Sequence, residues 1–317
     1  MADGESGPIV VVAGPTASGK SALARDLAEE FGGVVINADS MQVYDELRIL
    51  SNRPGPGGDA RAAHRLFGVV SVREACSAAR WRDMAMVEID AAHATGVLPI
   101  LAGGSGLYIR ALLEGLSPVP EIPPDVKAAA RARHAEIGGP AFHKELAERD
   151  PVMSARLALG DRQRLMRAWE VMEATGESLA DWQRQPPSAG AYGGPVLMLA
   201  LVPPREDLYA ACDARFLAMV EGSALDEART VHALGLDPAI PAMKALGLPE
   251  LGRHLNGECS LEAAIAAAQQ ETRRYAKRQL TWLRHQNPAA VVMEAAYSGT
   301  VAARAIEETR QFLLTGP

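Results

Sequence analysis

At 317 residues the chain is long enough for about two domains of a common size of ~150 residues each. Its 48% hydrophobic and 22% charged residues are those of an ordinary globular protein, which excludes a fibrous or a disordered chain. A net charge of −7 neither predicts nor excludes a nucleic-acid partner, because a local basic face can outweigh the total.

The acidic, polar start MADGESG argues against a leader peptide, and no apolar run approaches the ~20 residues of a membrane helix. Cys76, Cys212 and Cys259 are scattered and form no CxxC pair, so a reducing cytosol and no structural metal site are expected.

Along the chain, Ile9–Ala13 (IVVVA) is a short, wholly apolar run that predicts a strand covered on both faces. Ser21–Phe31 follows with helical periodicity and stops at Gly32-Gly33, and Val34–Ile36 is again β-branched. This βαβ opening predicts a parallel sheet. Ser51–Ala60, rich in Gly and Pro, is a loop; Trp81–His93 is a helix; Val97–Ala102 is a buried strand that turns through Gly103-Gly104-Ser105-Gly106 into a helix over Leu107–Leu113. That junction repeats the construction of the first, and both strand ends should lie on one sheet edge, where open α/β folds bind ligands.

Leu116–Asp125 is a proline-dense hinge, Val126 to about Gln185 is helical and charge-rich, and Gln185–Pro195 is a second hinge. Val196–Val202 restores a central-strand pattern, and the remainder is mainly helical, broken by Gly235 and by Leu246–Leu251. The expected architecture is α/β: a P-loop NTPase-like parallel sheet with helices on both faces and an inserted all-helical module. The core would comprise residues 1–118 and 195–317, the module residues 119–194.

GPTASGKS (Gly14, Pro15, Thr16, Ala17, Ser18, Gly19, Lys20, Ser21) has the Gly-x4-Gly-Lys-Ser/Thr form in its required setting, between a strand and a helix. The two glycines let the backbone aim successive N–H groups at oxyanions, and the helix start adds its positive end. Lys20 supplies a mobile cation and the Ser21 hydroxyl a ligand for Mg²⁺ held by phosphates. Most such loops hold ATP or GTP. Nucleotide hydrolases usually add an Asp at the end of a second strand; here only VVINAD ends in an acid, Asp39. It is either a metal-side ligand, as in kinases, or a base beside the phosphate-bearing ligand, and spacing does not separate the two.

GPTASGKS, DSMQVY (Asp39–Tyr44), GGSGLYIRALLEGL (Gly103–Leu116), DRQRLMRAWEV (Asp161–Val171) and RRYAKRQLTWLR (Arg273–Arg284) occur in this order. Together they resemble the tRNA dimethylallyltransferase family (tRNA isopentenyltransferases, or IPP transferases), over about Ile9 to Arg284. The resemblance implies a cytoplasmic monomer that prenylates the adenosine just 3′ of the anticodon. Gly14–Ser21 would then cradle dimethylallyl diphosphate, with Mg²⁺ at Ser21 and Arg215 reaching the same phosphates. Asp39 would take the N6 proton as general base, and Lys20 and Ser105 would assist at the diphosphate. Contacts to the tRNA anticodon stem-loop would come from Asp39, Ser40, Met41, Gln42, Ser105, Lys127, Gln163, Arg164, Leu165, Met166, Arg167, Arg273, Arg274, Lys277 and Arg278.

The chain departs from the family pattern at Ser51–Pro54 (SNRP for TAKP), at Leu248-Pro249 in place of a Tyr-Lys pair, and at Ala211 in place of an arginine. The same phosphate loop also suits a small-molecule or nucleoside kinase, or a non-catalytic RNA-binding switch. The basic stripe on one helix and the inserted module argue against the kinase, and Asp39 beside the loop against a pure switch. A prenyltransferase acting on free adenylate is a near relative, and the QR and AKRQ motifs count against it. His64 matches a family histidine and reads as structural, while His134, His143 and His285 do not sit at metal-ligand spacing. The proline hinges predict that the module moves when tRNA binds; solution scattering of the free and the tRNA-bound protein should differ in the protein envelope, and identical profiles would exclude the movement.

Overall fold

In the computed structural model, residues 6–55, 61–187, 191–286 and 289–315 are described. The core strands are β1 (Ile9–Ala13), β2 (Val34–Asn37), β3 (Ala63–Arg65), β4 (Pro99–Gly103), β5 (Val196–Leu201) and β6 (Val291–Met293). Among the described residues they form one six-stranded sheet in the order β3-β2-β4-β1-β5-β6. Every pairing is parallel, for example Val11 with Leu101 and with Met198.

Four strands, β1, β2, β4 and β5, carry the expected positions. β3 and β6, at the two edges, were not expected. Each has only three residues, AHR and VVM, too short to show a period. They are strands because β2 and β5 offer them unpaired backbone, a tertiary cause.

The helices of this core are α1 (Lys20–Phe31), α2 (Ala78–Ala94) and α3 (Gly106–Leu113) before the insertion, and α8 (Arg205–Glu221), α9 (Ala224–His232), α10 (Leu248–Leu255), α11 (Leu261–Gln286) and α12 (Gly299–Thr315) after it. Alternate strand residues sort onto two faces, as the strand period demands. Val10, Val12, Val35, Ile100 and Leu199 pack with Leu23 and Leu27 of α1 and Val301 and Ala305 of α12. Ile9, Val11, Ile36, Leu101 and Ala200 pack with Trp81 and Ile89 of α2, Ile109 of α3 and Phe216 of α8.

The chain divides into two compact units, residues 1–113 with 192–317, and residues 114–191. The second consists of α4 (Pro124–Arg149, broken at Gly138), α5 (Pro151–Arg156), α6 (Arg162–Thr175) and α7 (Leu179–Trp182). Its first helix begins inside the proline hinge. Pro124 occupies a first-turn position, where a missing N–H leaves nothing unpaired. The unit has its own core, built from Phe142, Leu146, Met153, Leu165, Ala168 and Val171.

Asp150 is almost fully buried and joins three of this unit's elements. It accepts from Met153 N (3.0 Å) at the start of α5 and from Ser178 Oγ (2.9 Å) at the start of α7, directly after α4 ends. Asp150→Ala should cost roughly 2 kcal/mol locally, from a lost cap and an orphaned hydroxyl. Hydrogen exchange should register this as lost protection in α5–α7 with the sheet amides unchanged; uniform loss across the chain would refute the local role.

Candidate active site at the phosphate loop

The parallel sheet places the ends of β1, β2 and β4 side by side, so Gly14–Ser21, Asp39 and Ser105 meet at one edge. Ala38 N donates to Ala102 O (2.9 Å), and Ser105 N to Ala38 O (3.3 Å), continuing the β2–β4 ladder past the strand ends.

The loop closes over the start of α1 with Gly19 at φ +86°, a left-handed conformation, and with Tyr297 packed where a side chain on Gly19 would stand. Tyr297 N donates to Ser18 O (3.0 Å), so the segment between β6 and α12 braces the loop from behind. Ser18 Oγ is buried and among the described residues has no hydrogen-bond partner, an orphaned donor within the curl of the loop.

Lys20 Nζ reaches only Pro15 O, at 3.4 Å. Burial brings the Lys20 ammonium down from the ordinary 10.5 to about 8; the Asp39 carboxylate opposes that shift, and the Arg215 guanidinium adds to it. Arg215, on α8, donates to Thr16 Oγ1. Arg215, expected to reach the phosphates, is half-buried against the loop, and burial lowers its basicity.

Asp39 is held by an Asx-type turn. Asn37, fully buried at the end of β2, accepts from Asp39 N (2.8 Å) and donates to Asp39 O (3.0 Å) and Leu66 O (3.1 Å). Trp81 Nε1 donates to Asn37 O (2.8 Å), tying the turn to α2. Asp39 Oδ1 accepts from Met41 N (2.9 Å); Oδ2 accepts no hydrogen bond among the described residues. Ser40 N donates to Ser105 Oγ (2.8 Å), which in turn donates to Ser40 Oγ (3.1 Å).

Two residues of this site lie within the quoted Arg273–Arg284 motif but were not assigned to the phosphate edge. Gln279 of α11 accepts from Thr16 N (2.8 Å) and donates to Gly104 O (2.9 Å), so one amide spans both glycine turns. Tyr275, one turn earlier, lies beside Ser105 and Gln279; burial and then the charge of Asp39 push its phenol up. The available clue was a polar Gln on the buried stripe Thr272, Ala276, Leu280 and Leu283.

Several of the residues expected to contact RNA are packed or paired within the protein. Leu165 is fully buried in the helical unit, so its side chain supports α6 and is not presented to a ligand. Gln42 is buried, with its amide donating to Ser51 O (2.9 Å) and Asn52 O (3.1 Å). Arg273 donates to both carboxylate oxygens of Asp213 on α8 (2.6 and 2.7 Å). Arg274 is the residue paired with Glu271. Lys277 and Arg278 remain exposed, Arg278 lying over the Tyr275 ring. Leu280, on the same helix, is buried.

In the helical unit, Gln163 and Arg164 are exposed, Lys127, Met166 and Arg167 half-buried. Arg164 pairs with Asp161 and Arg167 with Glu170. The departures from the family pattern are also placed: Arg53 binds Asp45 O and its carboxylate, Ser51 Oγ donates to Leu47 O, and Leu248-Pro249 opens α10. His64 bonds Ala62 O (2.9 Å) and His143 bonds Ser154 O (3.1 Å), both within the scaffold. Part of the Ser51–Ala60 loop and of the Gln185–Pro195 hinge lies outside the described residues.

With this geometry, the comparisons are decisive. The family model for IPP transferase matches residues 42–286. The chain belongs to the IPP transferase family. It is 56% identical to the tRNA dimethylallyltransferase of Paramagnetospirillum magneticum, over 98% of this chain and 99% of that relative. It is also 56% identical to that of Rhodospirillum centenum, over 89% and 90%. The crystal structure of the tRNA isopentenylpyrophosphate transferase of Bacillus halodurans superposes with a TM-score of 0.69 at 29% identity, covering 98% of this chain and 96% of that one. A eukaryotic dimethylallyltransferase acting on tRNA shares the fold, with a TM-score of 0.79 at 24% identity over 98% and 81%.

A phosphate loop of this family therefore carries a partly dehydrated cation, and its protonation is measurable. In the ligand-free protein the Lys20 side chain should titrate near pH 8 by carbon NMR of labelled lysine, charged below and neutral above. Inorganic pyrophosphate should move that midpoint upward, because an anion stabilises the ammonium. A midpoint at the ordinary 10.5 would show that the amine is fully hydrated.

Proposed function

We propose that the chain transfers a dimethylallyl group from dimethylallyl diphosphate to N6 of the adenosine 3′ of the anticodon in tRNA, releasing diphosphate. Family membership and the names of its relatives support the reaction class. The observation that carries the site assignment is the Asp39 carboxylate, fixed by Met41 N on one oxygen, within electrostatic reach of Lys20 on the phosphate loop.

An exocyclic adenine amine is a weak nucleophile, so alkylation needs its proton removed and the leaving group stabilised. Asp39 Oδ2 takes the N6 proton as the N6–C1 bond forms and the allylic C1–O bond to diphosphate breaks. Lys20, the loop amides and Arg215 meet the charge that collects on the departing diphosphate, and Ser105 holds the Asp39–Ser40 turn in place through Ser40 N. The base has to leave its stack to reach this edge.

Ser21 fits a hard divalent cation. It is an exposed hydroxyl in the first turn of α1, and among the described residues no group of three or more His, Cys, Asp or Glu offers an alternative centre. Mg²⁺ would be held by Ser21 Oγ and by the ligand's own phosphate oxygens, where it would neutralise part of their charge.

For the tRNA, the exposed Lys277 and Arg278 on α11 and Lys127, Gln163, Arg164 and Arg167 of the helical unit are the groups we assign to the anticodon stem-loop, with Ser40 and Met41 beside the target base. Among the described residues no helix is long and apolar enough to cross a membrane. We place the protein in the cytoplasm as a monomer, where its three free thiols stay reduced.

Labelled dimethylallyl diphosphate incubated with unmodified tRNA should leave its label in the RNA. Asp39→Ala should still bind pyrophosphate while its turnover falls by about 100-fold or more. Undiminished turnover would remove Asp39 as the base, and phosphate transfer from labelled ATP without prenylation would overturn the reaction class.

A further inference from the structure

We propose that Gln279 is a specificity-determining residue that restricts the phosphate loop to a diphosphate and bars the third phosphate of a nucleoside triphosphate. This rests on the diphosphate assignment above. In loops of this form the backbone N–H groups are themselves the phosphate donors, and the lysine reaches the β- and γ-phosphates of a triphosphate. Here the Thr16 N–H, third residue of the loop, is already bonded to Gln279 Oε1 at 2.8 Å.

The orientation of that amide is fixed at both ends. Nε2 donates to Gly104 O at 2.9 Å, so a flip would set donor against donor and acceptor against acceptor. Gln279 is only 5% exposed, and any side chain on Gly104 would collide with its nitrogen. The helix that carries it is anchored in turn. Leu280 and Leu283 are buried, Arg273 is locked to Asp213, and Gln269 Nε2 donates to Asp213 O at 3.0 Å.

Thr16 is also held through its side chain, by Arg215 on Oγ1. One end of the loop is thus closed by protein groups. The donors left open are the buried Ser18 Oγ, unpartnered among the described residues, the Lys20 ammonium, which reaches Pro15 O, and the start of α1. That set suits two adjacent phosphates, while a third, extending toward Thr16, would find its amide taken and the Gln279 carboxamide oxygen, an acceptor, facing it.

Calorimetry with inorganic pyrophosphate and inorganic tripolyphosphate tests this without requiring turnover. The native protein should bind pyrophosphate about tenfold tighter or more, despite the greater charge of tripolyphosphate. Gln279→Met, similar in length but unable to accept from Thr16 N, should bring the two affinities close to equality. Gln279→Asn, which keeps the amide but cannot span both turns, should do the same and serves if the Met variant does not fold. Equal binding by the native protein, or a preference unchanged in a folded variant, would overturn the proposal, as would a native protein that binds neither anion. A native protein that selects pyrophosphate yet puts no prenyl label into tRNA would leave Gln279 as the selector and defeat the reaction assignment alone.

Discussion

A cation kept short of water at the edge of the sheet is the feature on which the site turns. Lys20 and Arg215 approach the same curl of backbone, and each is made less basic by burial. Two like charges in a dehydrated recess are tolerable only with negative charge close by, and the residue that supplies it here is Asp39. An anionic ligand completes the balance. The same arrangement that makes the recess costly when empty makes it selective for an oxyanion.

Holding that balance is the work of the parallel sheet and its buried polar turn. Asn37 has no access to solvent, and all of its side-chain hydrogen bonds go to backbone: two around Asp39 and one at Leu66. Trp81 Nε1 then takes the remaining carbonyl from α2. Asp39 is consequently presented by a rigid strand end instead of a free loop, with one oxygen occupied and the other available. A carboxylate held this way has its geometry set by the fold before any ligand arrives.

Helix α11 combines two tasks that its sequence shows as one. Its charged residues suggest an RNA-facing surface, yet Arg273 and Arg274 are each paired within the protein. Its buried face, through Gln279 and Tyr275, reaches into the phosphate edge. Lys277, Arg278 and Arg284 are the basic residues that remain outward. The helix is therefore both a wall of the site and a carrier of exposed charge, in the proportion that burial sets.

The strand–loop–helix of residues 9–31, the Asp at the end of the second strand and the Gly-Gly-Ser turn were legible in the sequence because each is a local rule. β-branched runs make buried strands, paired glycines make a phosphate curl, and a parallel βαβ unit sends strand ends to one edge. The helical character of the inserted stretch was equally plain from its periodicity. What only tertiary structure decided was who partners whom across the chain. β3 and β6 exist because neighbours offered them hydrogen bonds, and Leu165 points inward because α4 covers that face of α6. Arg273 meets an aspartate sixty positions away, and Gln279 meets Thr16 across 263. Such pairings depend on distances closed by the fold, and no local pattern encodes them.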